Sequence, residues 1–92
     1  MTTDSHPLKI LLADDHRIVR DGLTSLIQTA IAEAEIVGEA STGIEAVHKA
    51  RQLRPDVIVM DVSMPELNGI DAVAQILGEN PECRILALSM HR

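Results

Sequence analysis

The sequence predicts an α/β chain built as a doubly wound parallel sheet with strand order 2-1-3-4. Three observations predict it. Short apolar runs alternate with segments whose apolar residues recur at helical spacing, the pattern of repeated strand–helix–strand units with right-handed crossovers. One run, Val57-Ile58-Val59-Met60, is continuous and mostly β-branched, as a strand covered on both faces requires. Two of the runs end in aspartate, the first at Asp14-Asp15 and the third at Asp61.

Each element follows in order. Residues 8–13, Leu-Lys-Ile-Leu-Leu-Ala, are too short for a helix and read as the first strand. Ile18, Val19, Leu23, Leu26, Ile27, Ala30 and Ile31 share one helical face, which predicts a helix over about 17–32. Residues 35–40, with Ile36, Val37 and Gly38, read as the second strand. Thr42 stands three residues before Glu45, the capping-box pattern of a helix start, and Ile44, Val47, Ala50 and Leu53 continue it. Pro55 ends that helix, because a residue before proline resists helical geometry. Residues 56–61 form the third strand. Pro65, Asn68 and Gly69 mark a loop, and Asn68 is a candidate cap for a third helix with Ile70, Val73, Ile76 and Leu77 inward. Gly78, Asn80 and Pro81 close it, and residues 84–89 are the fourth strand.

Composition narrows the function. At 92 residues the chain supports one domain, with residues 1–7 a loose tail. There is no Phe, Tyr or Trp, so the core must be aliphatic and base-stacking platforms for single-stranded nucleic acid are excluded. The net charge of −6 makes the chain a poor direct binder of phosphate backbones. Cys83 is the sole cysteine, which excludes an internal disulfide and suits a reducing cytoplasm; it reads as apolar filler. No apolar run approaches the roughly 20 residues needed to span a bilayer.

With strand order 2-1-3-4, the first and third strands are neighbours, and their carboxyl ends meet at the switch point where such sheets bind ligands. Asp14, Asp15 and Asp61 should therefore converge in one crevice. Clustered carboxylates repel one another, and a hard divalent cation such as Mg²⁺ compensates. Solvated acids at a strand end are the plainer reading of Asp14 and Asp15 alone; a third acid on the adjacent strand end favours metal. Asp61 is the candidate nucleophile, since a carboxylate can accept a phosphoryl group. Ser89, at the end of the fourth strand, has a hydroxyl able to donate to a phosphoryl oxygen, although alone it reads as a strand-terminating polar residue. The histidines weigh little. His16 is placed at the crevice rim, and no pair has the spacing of a helical metal motif.

Three segments resemble signature segments of response-regulator receiver domains: Leu-Leu-Ala-Asp-Asp-His at 11–16, Val-Ile-Val-Met-Asp-Val-Ser-Met-Pro-Glu-Leu-Asn-Gly at 57–69, and Ile-Leu-Ala-Leu-Ser-Met at 85–90. The resemblance runs from about Leu8 to the end, a CheY-like partial receiver over 8–92. Ala13-Asp14-Asp15-His16 with Val19-Arg20-Asp21-Gly22 is most similar to receivers that precede a LuxR/NarL-type helix-turn-helix output domain. The resemblance implies that Asp14, Asp15 and Asp61, with the backbone carbonyl of Val62, hold Mg²⁺. It implies that Asp61 accepts phosphate from a partner histidine kinase, that Ser89 contacts the phosphoryl group and reports it, and that Pro65 and Gly69 shape the loop. It makes the chain a signalling domain rather than an enzyme, reaching DNA only through an output domain that lies outside it. One departure stands out. The family carries a lysine at the end of a fifth strand, and Lys9 and Lys49 match neither its position nor its role. The expectation is a C-terminally truncated receiver lacking the fifth strand and the last two helices, with its fourth strand an apolar edge, part of Ile18, Leu26 or Ile27 uncovered, and a homodimer through the strand or that helix face as one way to cover them.

Other classes stay open. An aspartate-nucleophile phosphohydrolase needs a carboxylate two residues after the nucleophile, where this chain has Ser63. A nucleotide-binding module needs a glycine-rich turn after the first strand, where it has Asp14-Asp15-His16-Arg17. A non-signalling dimerisation fragment is the third.

Overall fold

The computed structural model describes residues 7–61 and 69–88. Four strands and three helices alternate along the chain: β1 Leu8–Ala13, α1 Arg17–Ala30, β2 Ala34–Ala40, α2 Gly43–Leu53, β3 Val57–Asp61, α3 Gly69–Glu79 and β4 Arg84–Leu88. The sheet is parallel throughout, in the order β2-β1-β3-β4. The predicted fold class and order are those observed. Ser89, expected to end the fourth strand, lies outside the described residues, as do Asn68, Pro65 and Val62.

Strand alternation divides the core in two, because successive side chains of a strand point to opposite faces. Leu11, Ala13, Ile58 and Met60 turn to the α2–α3 side and pack with Ala46, Val47, Ala50, Ala72 and Ile76. Ile10, Leu12 and Val59 turn to the other side, with Leu23 and Ile27 of α1 partly buried against them. The buried apolar side chains are aliphatic apart from Cys83, as the composition requires.

The helix boundaries follow from caps. Glu45 N–H donates to the Thr42 hydroxyl at 3.0 Å, and the Glu45 carboxylate accepts from Ser41 N–H at 2.8 Å. The capping box is therefore present, with its return bond one residue earlier than the usual pattern. That Ser41 N–H is the main reason the Glu45 carboxyl sits below its ordinary value. At the other end of α2, Arg54 adopts a left-handed conformation, φ 47°, directly before Pro55, and its N–H closes the helix on Ala50 O at 3.0 Å.

The expected uncovering of part of the α1 face is observed: Ile18 is 86% exposed, Leu26 67% and Ile31 40%, and no residue of the helix is fully buried. The helix also stops at Ala30, two residues early, because Ile31 turns extended and its carbonyl accepts from Ala34 N–H at 3.1 Å to start β2. Ile44 of α2 is likewise half exposed, and Leu77 of α3 only partly covered.

Gly38 positions α2. β1 and β2 shift register between Ile10 and Leu11, which pair with Ile36 and Gly38. A Cβ on Gly38 would stand 2.8 Å from a Leu53 methyl and 3.4 Å from a Leu11 methyl, so α2 can approach β2 closely only because that atom is absent.

Candidate functional site

The register of the sheet builds the site. Ala13 pairs with Met60 across β1 and β3, so the next residues along each strand, Asp14 and Asp61, stand side by side at the carboxyl ends. Asp14 N–H donates to Ala40 O at 2.9 Å, which carries the β1–β2 pairing one residue past the strand. Asp14 and Asp61 are each 1% exposed, and Asp15 points partly to solvent, its side chain 31% exposed. Asp14, Asp15, His16 and Asp61 each offer one ligand atom, and these four atoms lie within 4.8 Å of one another. The three predicted carboxylates are thus brought together, and a histidine joins them.

Asp14 is tied down by its own chain. Its Oδ1 accepts from His16 N–H at 2.7 Å, an Asx-type turn that reverses the backbone into α1. His16 is the N-cap residue of α1, and its carbonyl accepts the first helical bond, from Arg20 N–H at 3.0 Å. Its side chain does not cap the helix. Instead, Nδ1 lies 3.1 Å from Asp14 Oδ1 and 3.0 Å from Asp15 Oδ1.

Arg20, one turn into α1, reaches back over this turn. Its guanidinium donates to the Asp14 carbonyl at 2.6 Å and to the Glu39 carboxylate of β2 at 2.9 Å. With its side chain only 15% exposed, it forms a strap from helix to strand that fixes the Asp14 backbone. Lys49 of α2 donates to Glu39 O at 2.5 Å and stands 3.6 Å from Glu45, extending the polar frame to the far flank. Lys9 instead donates to Leu53 O at 3.5 Å, at the opposite end of the sheet.

The arrangement suits a divalent cation. Asp14 Oδ2 is buried and has no hydrogen-bond partner among the described residues. A buried carboxylate oxygen without a partner is costly, and a hard cation with oxygen ligands is the partner its chemistry favours. The turn after β1 offers acids to a ligand rather than a phosphate cradle, which counts against the nucleotide-binding reading.

Sequence reasoning placed the three carboxylates and undervalued two neighbours. Arg20 lies within the segment Val19-Arg20-Asp21-Gly22, and no spacing in the sequence singles it out from Arg17 on the same turn of α1. His16 was placed only at the rim. Its signal is adjacency to the acidic pair at a point where the chain must reverse. Val62, Pro65 and Ser89 lie outside the described residues, and Gly69 is the first residue of α3.

A parallel sheet ordered 2-1-3-4 with carboxylates converging at the ends of its two central strands defines the receiver class of signalling domains. The response regulator receiver domain family model matches residues 10–92, and the chain belongs to that family. The chain is 40% identical over 84 residues to the transcriptional regulatory protein YhcZ of Bacillus subtilis, covering 91% of this chain and 39% of that protein. It therefore spans about two fifths of the length of the curated relatives it matches. A LuxR-family two-component response regulator from Aurantimonas superposes with a TM-score of 0.86 at 37% identity, over 94% of this chain and 61% of that one. CheY in the CheX–CheY–BeF3–Mg complex from Borrelia burgdorferi superposes with a TM-score of 0.86 at 25% identity, over 94% and 64%.

Proposed function

We propose that this chain is the phosphoacceptor part of a two-component response regulator, with Asp61 as the residue phosphorylated. The observation that carries the reading is the convergence of Asp14, Asp15 and Asp61 at the switch point of the sheet. In the transfer, a carboxylate oxygen of Asp61 bonds to phosphorus while the phosphorus–nitrogen bond of a phosphohistidine on the partner kinase breaks. Asp14, Asp15 and Asp61, with the Val62 carbonyl, would hold Mg²⁺, which when bound offsets the negative charge of donor and acceptor. Burial of Asp14 and Asp61 excludes water from one side of the crevice, and the Arg20 strap keeps the Asp14 carboxylate facing it. Ser89 is the hydroxyl that would contact the bound phosphoryl group, and Pro65 and Gly69 would shape the approach. A solved relative with BeF3 and Mg in its complex supports this chemistry by analogy. The chain acts as a cytoplasmic signalling domain with no enzymatic turnover beyond its own phosphate, and it reaches DNA through an output domain, as the regulatory naming of YhcZ suggests.

A small donor such as acetyl phosphate, with Mg²⁺, should add one phosphoryl mass to the chain. Asp61→Asn should abolish the gain while leaving amide spectra of the sheet intact, since amide and carboxylate are nearly isosteric. Unchanged labelling of Asp61→Asn would place the acceptor elsewhere.

A second reading, a dimerisation fragment without signalling, draws on the exposed Leu86 of β4 together with Ile18 and Leu26 of α1. It is distinguished by the same assay, because such a fragment takes up no phosphate in a metal-dependent way.

A further inference from the structure

We propose that His16 turns the acidic crevice into a mixed oxygen–nitrogen site that prefers borderline transition divalent cations over Mg²⁺. The proposal rests on the reading above that Asp14, Asp15 and Asp61 hold a divalent cation, and it assigns the class of cation.

The geometry points to a ligand. Around an octahedral ion with ligands at about 2.1 Å, neighbouring donor atoms stand about 3 Å apart and opposite ones about 4.2 Å apart. His16 Nδ1 is 3.0 Å from Asp15 Oδ1 and 3.1 Å from Asp14 Oδ1, the separation of adjacent ligands on one ion. The whole set, with Asp61, fits within 4.8 Å, close to the span of a single coordination shell. An independent observation points to the same place: Asp14 is 1% exposed, and its Oδ2 has no partner among the described residues.

The placement of the ring is set by the backbone. The Asx-type bond from His16 N–H to Asp14 Oδ1 turns the chain so that the imidazole lies over both carboxylates rather than over the helix terminus it caps. The side chain is 60% exposed, so solvent and ion reach it. A plain hydrogen bond between ring and carboxylates uses the same nitrogen, so the two roles are alternatives that a bound metal separates.

The chemistry then sets the preference. Mg²⁺ favours oxygen donors and retains its waters, so an imidazole adds little to its binding. Affinity for nitrogen-containing sites rises from Mn²⁺ through Co²⁺ to Ni²⁺, and these ions gain from one imidazole beside carboxylates. The cation held beside Asp61 would then depend on which divalent ions are available.

The test titrates the full 92-residue chain, and separately its His16→Asn variant, with Mg²⁺ alone and with Co²⁺ alone at one neutral pH. His16 is exposed, so the variant should keep its amide spectrum. Co²⁺ should bind the wild-type chain more tightly than Mg²⁺ and shift the His16 ring protons far outside the diamagnetic range. His16→Asn should lower Co²⁺ affinity by about tenfold or more, the scale on which metal sites respond to losing a supporting side chain, and lower Mg²⁺ affinity by several-fold less than that. Equal responses of the two ions to His16→Asn, or Co²⁺ shifts confined to another histidine such as His48, would overturn the proposal. Absence of Mg²⁺ shifts around Asp14 and Asp61 in the wild-type chain would instead overturn the parent reading, so the two failures are distinguishable.

Discussion

On the α2–α3 face of the sheet eleven described residues are buried in one continuous cluster, from Leu11 and Ile58 in the strands to Ala72 and Ile76 in α3. On the α1 face the buried cluster is Ile10, Leu12 and Val59, with the α1 side chains only partly covered. The acidic crevice lies where the two faces meet at the top of the sheet. Its carboxylates are carried by strands that the first face anchors, while the turn that orients Asp14 is carried by α1, the least buried helix. Stability and site alignment are therefore assigned to different halves of the molecule, and each half can be disturbed without the other.

The largest effect expected from this contrast is on stability. Leu11 is fully buried, and Leu11→Ala should cost about 2–5 kcal/mol, enough to unfold a small domain of ordinary stability. Leu23 of α1 packs against the other cluster while partly exposed, and Leu23→Ala should cost about 1–2 kcal/mol. Urea unfolding followed by far-ultraviolet circular dichroism measures both, the chain having no aromatic reporter. Equal costs for the two would show that the faces are equally important and remove the contrast.

The converse experiment disturbs the site and spares the core. Arg20→Ala removes the strap between α1, the Asp14 carbonyl and Glu39. Divalent-cation affinity should fall by roughly tenfold, with a stability loss below that of Leu11→Ala, because the supporting group rather than a ligand has gone. Arg20→Lys should rescue little, since the ammonium lacks the fixed planar spread of donors with which the guanidinium reaches both acceptors at once. Full cation affinity in Arg20→Ala would show that α1 does not position the site.

How much of this was legible in the sequence varies with the physics behind each feature. Apart from the end of β4, strand limits were legible to within one residue because they are written in composition: apolar runs stop at Asp14 and Asp61, and Asp56, one residue before β3, already donates to Lys9 O at 2.8 Å and accepts from Arg84 N–H at 3.0 Å. The convergence of three carboxylates followed from strand order. Coverage was not legible. The periodicity of α1 shows which residues are apolar together, and nothing local says how far the sheet extends beneath them, so the sequence leaves open which of Ile18, Leu26 and Ile27 is uncovered; the structure exposes Ile18 and Leu26 and keeps Ile27 partly buried. The reach of Arg20 and the fold-back of His16 were hidden because both depend on a backbone reversal that two side-chain bonds determine, not on any spacing.

The exposed α1 face gives a third test. If a second copy covers Ile18 and Leu26, as the homodimer reading holds, sedimentation should show concentration-dependent association of the wild-type chain. Leu26→Lys should weaken it while changing monomer stability by no more than about 0.5 kcal/mol, as for an exposed helix position. A wild-type chain monomeric at all concentrations would sink this reading and leave the α1 face simply thinly covered.

The smallest effect concerns the flank where α2 begins. Glu45 is held below the ordinary glutamate value of 4.5, first by the Ser41 N–H and then, against the opposing effect of burial, by the Ser41 hydroxyl and Lys49. A carboxyl lowered in the folded state binds fewer protons there than in the unfolded chain. Its stabilising contribution is therefore present in full above the ordinary value and is lost as pH falls through the lowered one. The side chain is 41% exposed, so screening keeps the contribution below about 1 kcal/mol. Glu45→Gln keeps an oxygen to accept from Ser41 but no longer titrates. The difference in urea midpoint between wild type and variant should be greatest near neutral pH and shrink as pH drops below the ordinary glutamate value. A difference that stays constant through that window would mean the capping bond is indifferent to charge. Although Lys49 links Glu45 to the Glu39 carbonyl, and Glu39 holds Arg20, the same variant should leave cation affinity almost unchanged, because Lys49 keeps its bond to Glu39 O and Arg20 its bond to the Asp14 carbonyl. A tenfold loss there would show instead that the α2 flank, and not α1 alone, aligns Asp14.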